Sequence, residues 1–213
     1  MPDEPEASTS RNARRKSRTR AALVQAAQQL LSEGDDADAS IQAIADRADV
    51  GFGSFYNHFA SKAELFDAAV ADAFTRYTAW RDAQLGPAPD PVRRFAMNIR
   101  LTGRFSAAQP EIARILTHQI AAHGQAGPGL ETALRPDLLA AVAALHTSGA
   151  TGPSDTDVTV IAATGAVAAV LREVVRRGPA EQARLADALT RDLLRMLGAP
   201  WPLIDELLDV PCP

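Results

Sequence analysis

Apolar residues return every three or four positions along almost all of this 213-residue chain, and no stretch alternates at period two for long enough to be a strand. That pattern predicts an all-α fold and excludes sheets and barrels. A first helix runs from about Ser17 or Thr19 with Leu23, Ala26, Ala27, Leu30 and Leu31 on one face, and Gly34 ends it because glycine tolerates positive φ. After the acidic loop "GDDADA", Ser40 can cap a second helix of about two turns with Ile41, Ile44, Ala45 and Ala48 inward. Ser61 is the expected cap of a long helix striped by Leu65, Phe66, Ala69, Val70, Ala73, Phe74 and Tyr77.

"GPAPDP" at residues 86–91 cannot continue a helix and is the best linker candidate. Beyond it, helices are expected near 91–107, 110–123, 130–147, 155–177 and 180–197, separated by proline and glycine, with a short turn at the end of the chain. With 46% hydrophobic residues, such a chain buries a real core without staples.

Charge is distributed unevenly. Residues 1–20 hold Arg11, Arg14, Arg15, Lys16, Arg18 and Arg20 against Asp3, Glu4 and Glu6, a local charge of +3 within a net −4, leaving −7 elsewhere. A basic arm on an acidic body points to a local polyanion contact, the alternative being a solvated tail. Cys212 is the only cysteine, so no internal disulfide is possible and a cytoplasmic address fits best. The start of the chain is polar, unlike a secretory signal. The longest apolar run, residues 158–171, is interrupted by Thr159 and Thr164 and falls short of the roughly 20 residues that cross a bilayer. No membrane association is expected.

Catalysis finds no support. The chain lacks GxxxxGK[ST], HExxH, paired cysteine spacing and a serine nucleophile elbow, and His118 and His123 lie on different faces of their helix. No catalytic residue, metal or cofactor is expected.

"VGFGSFYNHF", residues 50–59, crowds four rings among small and polar residues in a chain with few aromatics elsewhere. Phe52, Phe55, Tyr56 and Phe59 cover more than one face of any helix, so some must look outward. Two short helices joined by a tight turn match a helix-turn-helix, whose second helix enters a DNA major groove. Phe55 and Phe59, four apart, can anchor that helix and leave Phe52, Gly53, Ser54, Tyr56, Asn57 and His58 facing a groove.

Over residues 19–66, "TRAALVQAAQQLLSEG" and "SIQAIADRADVGFGSFYNHFASKAELF" resemble the TetR family of bacterial transcription regulators. The resemblance implies a flexible basic arm at 1–18, a helix-turn-helix domain at 19–64 and a helical ligand-binding and dimerisation domain at 65–213. It gives Ser40 and Lys62 to phosphates, makes Phe52, Gly53 and Ser54 the tip of the recognition helix, and puts Tyr56, Asn57 and His58 on backbone or bases. Gly53 lets the backbone approach a base edge, and Lys62 adds charge at a helix N-terminus suited to anions. Arg14, Arg15, Lys16 and Arg18 precede the first helix and could follow the backbone or enter the minor groove.

Three residues depart from the family pattern. Asp49 replaces the usual turn glycine, and Asp tolerates the left-handed conformation at some cost. Gly51 replaces a serine or threonine and removes one phosphate contact. Phe52 stands where polar or basic residues are common, and either packs on a thymine methyl or folds back on the domain.

The 155–177 helix is apolar nearly all round, so more than one face must be buried, either within one chain or against a second subunit. Ala162, Gly165, Ala166 and Ala169 would let another helix approach closely, and Leu185, Leu189, Leu193 and Met196 form a second stripe. The resemblance implies that these last two helices build a homodimer across a two-fold axis. It also implies a small-molecule pocket among the middle helices, with Tyr77, Trp80, Phe95, Asn98, Thr102, Phe105, Gln119, His123 and Thr164 as candidate lining. Gln119 and His123 share the stripe of Ile112, Leu116 and Ile120, and point inward or are satisfied near the helix end. So few formal charges suit an apolar or aromatic effector with one or two polar groups. The implied function is a ligand-responsive regulator, a repressor on a palindromic double-stranded DNA operator. The competing reading is a helical ligand- or partner-binding protein that has lost DNA binding.

Overall fold

In the computed structural model, the backbone is described at residues 5–36, 38–86, 90–123, 128–174 and 177–212, with side chains except at 5–11, 119–123, 128, 129 and 174. The described residues form α1 (Pro5–Glu33), α2 (Ile41–Arg47), α3 (Phe52–Tyr56), α4 (Lys62–Leu85), α5 (Pro91–Ala108), α6 (Pro110–His123), α7 (Pro128–Thr147), α8 (Thr156–Val174), α9 (Pro179–Met196) and α10 (Trp201–Asp209), with no strand among them. The fold is all-helical. The chain divides into two compact units, Met1–Ala73 and Phe74–Pro213, and the division falls inside α4.

The first helix begins at Pro5, not at Ser17 or Thr19, so the 1–18 segment expected as a flexible arm is helical from Pro5 onward. Proline is at home at a first helical position, and the following Ala, Arg and Lys residues include no glycine to oppose the helix. The helix stops where expected, with Gly34 at φ +83 and its N–H donating to the Leu30 carbonyl at 2.9 Å.

Local chemistry sets the next boundaries. Ser40 caps α2, its Oγ accepting from the Ala43 N–H at 3.1 Å. Asp49 makes the following turn at φ +52, the left-handed conformation that its short polar side chain tolerates. Ser61 Oγ accepts from the Glu64 N–H at 3.2 Å while Glu64 accepts from the Ala60 N–H at 2.7 Å, a reciprocal capping arrangement that starts α4.

The first unit packs Leu23, Ala27, Leu30 and Leu31 of α1 with Ile44, Ala45, Phe55, Phe59, Leu65 and Ala69, all buried. Gln28 is buried among them, and its amide donates to the Ala69 carbonyl at 3.0 Å and to Asp72 at 2.8 Å. A buried amide without such partners would be costly.

In the second unit α5 is the central helix, packed on α9, α7, α6 and α8. Asp90 accepts from the Val92 N–H at 2.9 Å to start it, with Pro91 in the first turn. "GPAPDP" joins α4 to α5 within this unit, residues 87–89 lying outside the described residues. Val92, Phe95, Ala96 and Ile99 of α5 meet Leu134, Leu138, Ala141 and Leu145 of α7, Val160, Ala163 and Val167 of α8, and Leu193 and Leu194 of α9. Gly103 brings α5 against α9 so closely that a Cβ there would collide with the Ala186 methyl and lie 2.6 Å from the Gln182 carbonyl oxygen. Arg100, almost wholly buried, donates to Asp187 at 2.9 Å and to the carbonyls of Leu207 and Val210 at 3.0 and 2.6 Å, fastening the C-terminal segment to α5. The expected terminal turn is the nine-residue α10.

Candidate DNA-reading head and ligand cavity

Four rings in one short stretch divide into two pairs. Phe55 and Phe59 are 0% and 2% exposed, whereas Phe52 and Tyr56 are 46% and 54% exposed. The Phe52 ring lies outside the core and rests edge-on against Tyr56 at 5.6 Å. Gly53 and Asn57 are also exposed, with Ser54 and His58 half-buried beside them. Lys62 is engaged within its own unit, its ammonium donating to the carbonyls of Asp36 and Ala39 at 3.2 Å each and lying 6.0 Å from the Phe66 ring. It ties the loop before α2 to the start of α4.

The basic end of α1 lies beside α3. Asn12, Arg15, Lys16 and Thr19 share an open cleft with Ser54, Asn57 and His58. Arg20 lies over Phe59 at 5.0 Å. Partial burial, Lys16 and Arg20 all push the His58 imidazole below its ordinary value, because each disfavours a further positive charge. The described residues of this cleft are cations and hydrogen-bonding groups with no acid among them, which suits a phosphate. Arg14 and Arg18, from the same end of α1, are exposed.

In the second unit a small enclosed cavity of about 30 Å³ is lined by Phe74 and Tyr77 of α4, Thr102, Phe105 and Ser106 of α5, Ala113, Leu116 and Thr117 of α6, Leu130 of α7 and Leu171 of α8. No formal charge lies among its described lining residues. Tyr77 packs edge-on on Phe105 at 4.8 Å, and burial pushes its phenol up to about 12, so it remains a neutral donor. Of the candidate lining residues, Tyr77, Thr102 and Phe105 line this cavity. Trp80 stands behind them, 5.2 Å from Phe105. Phe95 is not in the described lining; it is buried in the main core with Val92, Ala96 and Ile99. Asn98 and Thr164 are buried but are not among the described lining residues, and the side chains of Gln119 and His123 lie outside the described residues. Phe74 and Leu116 belong to stripes already legible in the sequence, and Ser106 follows Thr102 by one helical turn.

On α8 one face is buried, through Val160, Ala163, Thr164, Val167 and Ala168. The opposite face exposes Val158 at 60%, Ile161 at 69%, and with them Ala162, Gly165 and Ala169. Ala166 lies at its half-buried margin. The described residues of the same chain therefore leave this face of α8 uncovered. On α9, Leu185 and Leu189 are half-buried and Met196 is exposed, but Leu193 is 4% exposed and belongs to the core of its own unit, packed with Leu194 and Leu197. Trp201, half exposed, lies under Arg195 at 4.3 Å.

No curated protein matches the chain significantly. Among solved structures it is similar to RolR in complex with resorcinol, at 26% identity over 94% of this chain and 98% of that one, with a TM-score of 0.68. It is also similar to a TetR-family transcriptional regulator from Pectobacterium atrosepticum (24% identity, 87% and 97% covered, TM-score 0.66). The fatty acid degradation regulator FadR from Bacillus halodurans shares the fold at 17% identity, with 91% and 97% covered and a TM-score of 0.64. A family profile described as bacterial regulatory proteins, tetR family, matches residues 23–69, and a second, described as the tetracyclin repressor-like C-terminal domain, matches residues 90–206, more than half of the chain. The chain belongs to the TetR family of DNA-binding transcription regulators.

Proposed function

We propose that this chain is a homodimeric repressor in the cytoplasm that occupies a palindromic operator and leaves it when a small neutral aromatic molecule enters the second unit. The observation that carries this reading is the exposed set Phe52, Gly53, Tyr56 and Asn57 held out on the buried pair Phe55 and Phe59, next to the basic end of α1. Arg14, Arg15, Lys16 and Arg18 with Ser40, Ser54 and His58 meet phosphates, and Phe52 meets a thymine methyl. Lys62 reaches a phosphate by exchanging its carbonyl partners for it.

Two reading heads are supplied by pairing through the exposed face of α8, Ile161, Ala162, Gly165 and Ala169, with Leu185, Leu189 and Met196 of α9. Two-fold symmetry makes such a patch self-complementary, and half-sites then fall about 34 Å, or a multiple of that, apart. The uncharged cavity lining suits a neutral aromatic effector, in keeping with the similarity to a resorcinol-bound protein. A cavity that holds benzene is on the order of 150 Å³, so this one must widen before an aromatic ring enters. An effector that binds only the widened state shifts the population toward it, and that differential affinity is the free energy available to weaken DNA binding.

Fluorescence anisotropy on DNA from upstream of the gene, against scrambled DNA at several salt concentrations, tests the reading. Binding that prefers the upstream DNA by about a thousandfold and falls steeply with salt is expected, with release on addition of resorcinol. Weak binding, equal on both DNAs and on a genome-wide fragment pool, would overturn it.

A further inference from the structure

The exposed side of the reading head divides into two parts. Ser54, Asn57 and His58 line the cleft shared with the basic end of α1, so the hydrogen-bonding side chains of this stretch stand with the cations. Phe52 and Tyr56 are not among the described lining of that cleft. They are the two exposed large apolar side chains among the described residues of the first unit, and their rings meet edge-on at 5.6 Å. Tyr56 is in turn set edge-on against the wholly buried Phe55, 5.3 Å away. Three rings in contact thus run outward from the core, and the last of them, Phe52, is braced from behind.

Phe52 is also the first residue of α3, preceded by Gly51 and followed by Gly53, where an added Cβ would meet nothing within 4 Å. The leading end of a recognition helix is the part that meets base edges. Residues 52–56 include no Arg, Lys, Asn, Gln, Asp or Glu, the side chains that pair with the polar edges of guanine, adenine and cytosine. A phenyl ring has neither a donor nor an acceptor to offer. The apolar group it can select in the major groove is the C5 methyl of a pyrimidine. Thymine and cytosine differ at position 4, an oxygen acceptor against an amino donor, and a ring that bonds to neither is blind to that difference. 5-Methylcytosine carries the methyl group of thymine at the same place.

We infer that Phe52, braced by Tyr56, reads the pyrimidine C5 methyl itself, so that 5-methylcytosine stands in for thymine at the base it faces and methylation of an operator cytosine there strengthens binding. This deepens the reading of α3 as a groove-facing helix with Phe52 on a thymine methyl, and rests on it. Occupancy of the operator then responds to the chemical state of the DNA as well as to an effector.

Anisotropy of the full-length protein tests the inference, on the upstream duplex with each thymine replaced in turn by uracil, which removes only the methyl. At one or more positions the replacement is expected to weaken binding about fourfold in one half-site and roughly fifteenfold in both, the contribution of one buried methyl each. At such a position cytosine and 5-methylcytosine, each paired with guanine, are then compared, and the methyl is expected to strengthen binding by the same factor. In Phe52→Ala both ratios are expected to fall to one, which separates a contact made by the ring from a change that uracil makes in DNA shape. No gain from 5-methylcytosine, or ratios unchanged in Phe52→Ala, would overturn the inference. The comparisons in the unsubstituted protein stand even if the variant binds no DNA. Sequence-specific binding that is indifferent to every uracil replacement defeats this inference alone, whereas absence of specific binding defeats the regulator reading beneath it.

Discussion

Replacing Gly103 with alanine puts one methyl group where α5 and α9 touch. The added Cβ would collide with the Ala186 methyl and lie 2.6 Å from the Gln182 carbonyl oxygen. An alanine side chain has no rotamer by which to retreat, and a helix carbonyl cannot yield alone, so the two helices must separate. Overpacking of this kind costs about 1 to 3 kcal/mol. Helix propensity opposes it by about 1 kcal/mol, because alanine is the better helix former. The collision wins, since α5 is the hub of the second unit and its separation from α9 also loosens the Arg100–Asp187 contact. A net loss of up to about 2 kcal/mol corresponds to a melting temperature up to roughly 8 °C lower for a chain of this size. Differential scanning calorimetry at fixed protein concentration measures it. Gly53→Ala is the internal reference, since it too lies in a helix and nothing lies within 4 Å of its added Cβ. A Gly103→Ala protein that melts at or above the parent temperature would refute the packing argument.

Ile161→Lys adds a charge to a residue already exposed within one chain, so the subunit should keep its helicity while sedimentation velocity shows the dimer dissociating; an unchanged dimer would remove α8 from the interface. Burial pushes the Asp187 carboxyl up, but hydrogen bonds from Arg104 and Arg100 outweigh this and hold it below the ordinary carboxylate range. A depressed folded value means stability present above the unfolded value of about 3.9 and lost as pH falls through the folded one, so urea midpoints should drop below pH 4, and less so in Asp187→Asn. Replacing Arg14, Arg15 and Lys16 by alanine should weaken operator and scrambled DNA alike and reduce the salt slope by about 2 to 3, whereas a change confined to A·T-rich sites would indicate minor-groove entry.

The helix boundaries and the reading head were legible because their causes are local. Ser40 and Ser61 cap through their own hydroxyls, and four rings in one turn of chain outnumber the positions on any buried face. The start of α1 was not legible, since a run of basic residues looks alike as a solvated tail and as a helix with exposed sides. The cavity was legible only in part. α5 is buried nearly all round, from Val92 through Phe105, so periodicity does not say which neighbour receives which side chain. Phe95 therefore goes to the core and Thr102 to the cavity from one uninterrupted pattern. Leu193 fails for a related reason, because a single stripe on α9 divides between its own core and an exposed margin. Asn98 was a candidate only through the family resemblance, and its bond to Asp137 joins residues far apart in the chain.

The turn at Asp49 bears on how such a reading head changes over generations. Its backbone sits at φ +52, where aspartate, asparagine and glycine are the residues best tolerated. In the genetic code the aspartate triplets differ from those of asparagine and of glycine by a single base. Lineages can therefore drift among these three at position 49 by one-step mutations without passing through a residue that breaks the turn. The glycine usual in the family and the aspartate found in this chain are neighbouring spellings of one shape, and the DNA-facing residues after it are left to diverge on their own.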